Sequence, residues 1–271
     1  MKIELRILAI DEGKQQLSLI DTRTNTFYWT LDLAAYPLAR DMQRISDERV
    51  LVGFDRGFFE LDWISGEVLA CCDCWHEVTA VRRMADGTTL VTGVNLDGEG
   101  GVTVLTLGHD WKVQRTDRRA GDYVRLMRPT AEGSYLLCTN DHILETRTDL
   151  QGVRAFRAEG FEHAWKAVRR GDGTTWVSAG YGAFMAVFDP TGALVRTFGR
   201  LSEVDPVVAP FFYASFEFLP NGDMVVANWQ GHGEDNGYKG QQLLQFNAAG
   251  YLVATWSAPD RISSLQGLLI V

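Results

Sequence analysis

The chemically versatile side chains of this sequence are its five histidines, and two of them stand in settings suited to acid–base or nucleophilic work. His163 precedes the apolar run that leads into the turn Arg170-Gly171-Asp172-Gly173, and His232 closes the glycine-rich stretch Asn228-Trp229-Gln230-Gly231-His232. A neutral imidazole can take or give a proton near neutral pH, attack as a nucleophile, or ligate zinc, copper, nickel or iron. Tyr181 and Trp229 fall in comparable loops, while Tyr123, Tyr213, Arg125 and Arg40 lie at or just inside short apolar runs. Tyrosine adds a proton donor and arginine polarises an anionic group.

Strands must position these groups, because helical periodicity is nearly absent and short alternating or β-branched runs dominate, as in Ala183-Phe184-Met185-Ala186-Val187-Phe188. The last full unit is the clearest. Tyr213–Leu219 stops at Pro220-Asn221-Gly222, Met224–Ala227 resumes, a polar loop runs to Gly240, and Gln242–Phe246 and Tyr251–Trp256 flank Asn247-Ala248-Ala249-Gly250. That is strand, turn, strand, long loop, strand, turn, strand. The first turn recurs at Gly173, Gly133 and Gly87, with Asp47-Glu48 as a weaker version, and successive glycines lie 46, 40 and 49 residues apart. Such spacing is that of β-propeller blades.

The N-terminal stretch Lys2–Leu33 lacks an opening strand, and Ile262–Val271 is an opening strand with nothing after it. Joined, they complete a blade and remove two exposed sheet edges. The chain therefore reads as one all-β domain, a six-bladed β-propeller with four antiparallel strands per blade, blade 1 closed by N- and C-terminal strands. The expected blades are 260–271 plus 1–33, 36–74, 76–117, 122–158, 162–200 and 211–257. Between the last two, Leu201–Pro210 is the longest interblade connection, expected to be irregular structure or a rim over the site.

In such blades the second-to-third loops and the interblade connections share one face of the disc, and here that set is the longer and more varied. His142 and His232 fall in second-to-third loops, His76 and His163 in interblade connections, and His109 in a turn of the opposite face. A funnel lined by imidazoles, aromatics and arginines follows, with His163 and His232 as candidate catalytic residues. His76, His142, Tyr181, Tyr213, Trp229 and Arg125 are candidate ligand contacts. Simpler roles stand beside these: histidines as structural hydrogen-bonders, Trp229 as filler between blades, Arg125 and Arg40 paired with Glu77, Asp122 or Asp41. Spacing alone names no metal and no cofactor, although loops arranged in a ring could bring several imidazoles to one point.

Composition narrows the partners. Of 271 residues, 46% are hydrophobic and 27 are glycine, and the net charge is −9, which disfavours nucleic acid and anionic membranes. No run approaches the ~18 apolar residues of a membrane span. Charges break up Met1–Ile7, so no signal peptide is expected, and a cytoplasmic location follows if Met1 is the native start. Cys71 and Cys74 form a C-x-x-C pair, but zinc would want two such pairs and c-type haem a histidine where Trp75 stands. Small buried thiols in an outer strand, suited to a reducing compartment, are the expectation for Cys71, Cys72, Cys74 and Cys138.

Phe211-Phe212-Tyr213, Asn228-Trp229-Gln230-Gly231-His232, Gly237–Phe246 and His163-Ala164 carry a resemblance. Over blades 4 to 6 the chain resembles a bacterial family of six-bladed propellers often labelled surface-layer or cell-surface proteins. More distantly it is similar to quinoprotein-like and arylsulfotransferase propellers, and a quinone cofactor is implied only by that distant likeness. The family implies the fold and no established activity. The residues themselves imply binding of a small polar ligand, a sugar or aromatic metabolite, with lyase, hydrolase or transferase chemistry if the site is catalytic. The alternative is a protein-interaction platform whose acidic disc selects a basic partner. Neither reading names an oligomeric state.

Overall fold

Twenty-four strands form six four-stranded antiparallel sheets, and the only helical segment among the described residues is a 3-10 turn, Pro206–Val208. The structure is a computed structural model and describes residues 2–121 and 123–271. Each sheet is one blade, its strands in sequence order from the axis outward, except where the chain ends meet. There the order is β24 (Leu265–Ile270), β1 (Arg6–Asp11), β2 (Gln16–Asp21), β3 (Thr26–Asp32). The innermost strands of the other blades are β4 (Asp41–Arg44), β8 (Val78–Arg83), β12 (Met127–Pro129), β16 (Ala167–Arg169) and β20 (Phe212–Phe218). Inner strand β24 lies against both β4 and β20, so the ring is closed through the C-terminal strand.

Burial follows position in the blade. Outermost β3 alternates between exposed and half-buried residues, whereas five of the six residues of β2 are buried because neighbouring blades cover both its faces. Three of the recurrent first turns, at Gly87, Gly173 and Gly222, hold one geometry for one reason. Asp86 Oδ1 accepts from Thr88 N at 2.9 Å, Asp172 Oδ1 from Thr174 N at 2.9 Å and Asn221 Oδ1 from Asp223 N at 3.0 Å. A short polar side chain thus takes the place of a backbone acceptor ahead of the glycine.

Closure is fastened by more than the ladder that pairs Ile7 with Ile270, Leu8 with Leu269 and Ala9 with Leu268. The Asp11 carboxylate accepts from Ser263 N and Ser264 N, each at 2.8 Å, and Glu12 N donates to Ser264 O at 2.9 Å. Burial raises the Asp11 pKa while these backbone donors pull it down. Leu265 and Leu268 are buried, each worth about 1.5–3 kcal/mol relative to exposure.

Charges also fill the axis. Asp41, 1% exposed, accepts from Arg82 Nη2 at 2.6 Å and Arg128 Nη2 at 2.8 Å, joining blades 2, 3 and 4. Lys166 Nζ donates to Phe216 O at 2.6 Å and Glu217 Oε1 at 2.9 Å, joining blades 5 and 6. In the outer strand β7 (Val68–Asp73) the thiols differ from expectation: Cys72 is buried, but Cys71, and Cys74 just beyond the strand, are exposed. Strand alternation turns Cys71 to the opposite face from Cys72.

Candidate functional site

A cavity of about 220 Å³ is bounded by inner strands, interblade connections and second-to-third loops of five blades. Blade 3 contributes no lining residue among those described. Its cationic side is Arg40 and Arg125, with Tyr123 touching both. Arg125, only 7% exposed, donates from Nη1 to Asn140 Oδ1 at 2.7 Å and lies 5.2 Å from the Tyr123 ring centre. Arg40 Nη1 reaches Tyr123 Oη at 3.4 Å, and its Nε donates to Leu38 O at 3.2 Å. Among the described residues neither arginine meets a carboxylate within 4.0 Å. Burial, and then the neighbouring charge of Arg40, holds the Arg125 guanidinium below the usual arginine range.

The facing wall is aromatic. Phe212 stands edge-on to Trp229 at 5.2 Å, to Tyr181 at 4.8 Å and to Trp165 at 5.5 Å, so the four rings brace one another. Trp229 ends β21 (Met224–Trp229) and Phe212 opens β20, which places both rings by strand geometry rather than by loop conformation.

The lining also includes a dyad, whose histidine is exposed. Glu12 Oε1 lies 2.8 Å from His232 Nδ1, and Glu12 Oε2 accepts from Trp229 Nε1 at 3.1 Å. A carboxylate only accepts, so Nδ1 carries the proton and the other ring nitrogen of a neutral His232 is left basic. The arrangement fixes tautomer and ring orientation together, as a general base requires.

His163 is placed differently, by its backbone. Its φ is +59°, a left-handed conformation that costs a non-glycine residue of order 1 kcal/mol or more. Its N–H donates to Asn140 O at 2.6 Å, and its carbonyl presses on Gly180, where an added Cβ would lie 2.1 Å from His163 O. Only glycine fits beneath it. The ring meets Tyr181 edge-on at 5.4 Å, and burial followed by the charge of Arg125 lowers its pKa from 6.5. At neutral pH His163 is an uncharged imidazole beside a cation.

His163, His232, Tyr181, Trp229 and Arg125 are thus brought to one cavity. Three candidates lie elsewhere. Tyr213 is fully buried and donates from its hydroxyl to Gly199 O at 2.6 Å, because β20 points it between blades 5 and 6. His142 is buried against Asp141 Oδ1 at 2.7 Å and Thr139 Oγ1 at 3.0 Å, a local turn partnership. His76 is exposed, 3.8 Å from Asp55. The carboxylates weighed for Arg40 and Arg125 are also placed: Asp41 is taken by Arg82 and Arg128, Glu77 makes no ion pair among the described residues, and Asp122 lies outside them.

Sequence reasoning missed Glu12, Phe212, Trp165 and Gln266. Glu12 was within reach: once blade 1 is completed by the C-terminal strand, Asp11–Gln16 becomes a second-to-third loop on the funnel face. The same loop position that brings a histidine to the funnel brings this carboxylate there. Leu201–Pro210 is tied down, with Gln241 N donating to Val208 O at 3.0 Å and Gln230 Nε2 to Ala209 O at 3.2 Å. Among the described residues no three His, Cys, Asp or Glu side chains converge to hold a metal ion, and no helix is long and apolar enough to cross a membrane.

Neither a protein family nor a curated protein matches the chain in sequence. Its fold is matched by two crystal structures of bacterial proteins described as of unknown function. One, from Bacteroides caccae, superposes with a TM-score of 0.81 at 18% identity over 99% of both chains. The other, from Desulfotomaculum acetoxidans, gives 0.60 at 13% identity, again over 99% of both. At these identities the likeness extends to the fold alone.

Proposed function

We propose that the funnel binds a small anionic ligand with a sugar or aromatic ring, its acid on Arg125 and Arg40 and its ring on the aromatic wall. One observation carries this reading: Arg125 is a buried guanidinium, its charge disfavoured by burial, with no carboxylate within 4.0 Å among the described residues. An uncompensated buried cation is costly, and an anion supplied by a ligand relieves that cost. If the ligand is turned over, the Glu12–His232 dyad is the base, Tyr123 the nearby acid and the arginines the electrostatic clamp, which suits proton abstraction, hydrolysis or group transfer.

The test is calorimetric titration of sugar acids and aromatic acids against the wild type and His163→Ala, His232→Ala and Arg125→Ala variants. Binding by the wild type, lost in the variants while the melting temperature moves only a few degrees, is the expected result. Binding unchanged by all three substitutions overturns the reading, and capture of a basic protein that survives them favours the interaction platform.

A further inference from the structure

His232 borders a second depression besides the funnel. This groove, of about 440 Å³, runs between the connection into blade 6 and the long loop of that blade, and Phe211, Pro210, Gly231 and Lys239 line it. His232 belongs to both linings, so the two hollows adjoin at the Glu12–His232 dyad. We infer that the ligand is elongated: an acidic ring in the funnel, linked past His232 to a second acidic sugar ring in the groove. This rests on the funnel reading and extends it to a substrate class, the glycosides of acidic sugars.

Three features select the second unit. Phe211 is 44% exposed, and its ring is already engaged with Tyr181 edge-on at 5.7 Å and with Trp229 at 6.2 Å. It therefore offers the groove a single braced aromatic platform. A sugar ring suits such a platform, because one apolar face stacks while its hydroxyls stay in water; a flat apolar ring would leave its other face unpartnered. Lys239, exposed and without an ion pair among the described residues, supplies a cation for the acid of the second ring. The groove walls are firm, since Asn236 Nδ2 donates to Gly231 O at 2.8 Å and His232 O at 2.9 Å, and Phe211 N donates to Asn228 Oδ1 at 2.9 Å.

Both cationic ends then take an acid, and the linkage between the rings passes the dyad. A monomer fills the funnel alone. The dimer gains the platform and Lys239 without paying a second cost of immobilisation.

The experiment titrates the protein with galacturonate and digalacturonate, and with glucuronate and its β-1,4-linked dimer. In the pair that binds, the dimer is expected to bind about tenfold tighter than the monomer, or about 1.4 kcal/mol. Lys239→Ala should remove most of that gain while leaving monomer affinity within about twofold, a change small against one decade of affinity. Phe211→Ala should weaken the dimer, and Arg125→Ala should remove binding of both. A dimer no tighter than a monomer that does bind overturns the groove and leaves the funnel standing. So does a Lys239→Ala variant that weakens monomer and dimer alike. Binding of none of the four overturns both readings.

Discussion

Two clusters of arginine occupy this propeller and are treated in opposite ways. On the axis, Arg82 and Arg128 share the Asp41 carboxylate, which also accepts from Val81 N at 3.1 Å, and each guanidinium has a backbone carbonyl besides: Met42 O at 2.9 Å and Met127 O at 2.8 Å. In the funnel, Arg40 and Arg125 have neutral oxygens and a tyrosine ring in place of a carboxylate among the described residues. Burial alone does not separate them, since Arg82 and Arg125 are each 7% exposed. What separates them is that the axial cluster meets its charge internally and lies outside the cavity, whereas the funnel arginines line it. The first belongs to stability, and on the proposed reading the second takes the acid of a ligand.

Opening the ring breaks both clusters at once and has the largest expected effect. Deleting residues 262–271 removes β24, which lies against β4 and β20, carries Gln266 into the funnel and anchors the loop that presents Glu12. Losing the burial of Leu265 and Leu268, at about 1.5–3 kcal/mol each, together with the ladder that β24 makes with β1, is comparable to the lower end of a total stability of about 5–15 kcal/mol. The truncated chain should aggregate on expression; a soluble fragment that melts cooperatively would contradict closure as the source of stability.

Asp41→Ala strikes only the axial cluster. Two buried guanidinium groups then lose their shared acceptor, and urea unfolding should register a loss of about 3–5 kcal/mol. Arg125→Ala strikes only the funnel: the lost hydrogen bond to Asn140, worth about 1 kcal/mol, is offset by removal of a buried charge, so stability should change by no more than about 1 kcal/mol. Its ligand affinity should fall at least about 30-fold, the lower end of what losing one partner of a buried charge pair brings. Equal destabilisation by the two substitutions would erase the distinction between the clusters.

The smallest effect is a dependence on pH. The pKa of His163 in the folded protein is below 6.5, its unfolded value, so below pH 6.5 the unfolded chain binds more protons and wild-type stability declines as the pH falls. Above that value the contribution is fully present and flat. His163→Gln removes the titrating group, so the difference in unfolding free energy between wild type and variant should vary only below about pH 6.5. A difference that drifts above about pH 8 would place the titrating group elsewhere.

Much of the fold was legible because it is periodic. The Asp-Gly and Asn-Gly turns at Gly87, Gly173 and Gly222 act through local hydrogen bonds, and the mismatch of the chain ends counted the blades. The site was legible in part. The face rule brought His163, His232, Tyr181, Trp229 and Arg125 together, but assigning a residue to a face does not aim its side chain. His142 turns to its neighbour Asp141, and Tyr213 turns between blades to Gly199, although both satisfied the rule.

By itself the sequence determined what depends on neighbours a few positions away: strand alternation, turn chemistry, blade number and the composite blade 1. Only the tertiary structure decided which distant groups touch. Glu12 and His232 are 220 residues apart in the chain yet 2.8 Å apart in space, and Asp41 meets Arg128 across 87 residues rather than Arg125. The physical reason is range. Turns and alternation are set by bonds and sterics along the chain, whereas a hydrogen bond or ion pair is made or lost within an ångström, a margin that closure and packing of the whole ring alone determine.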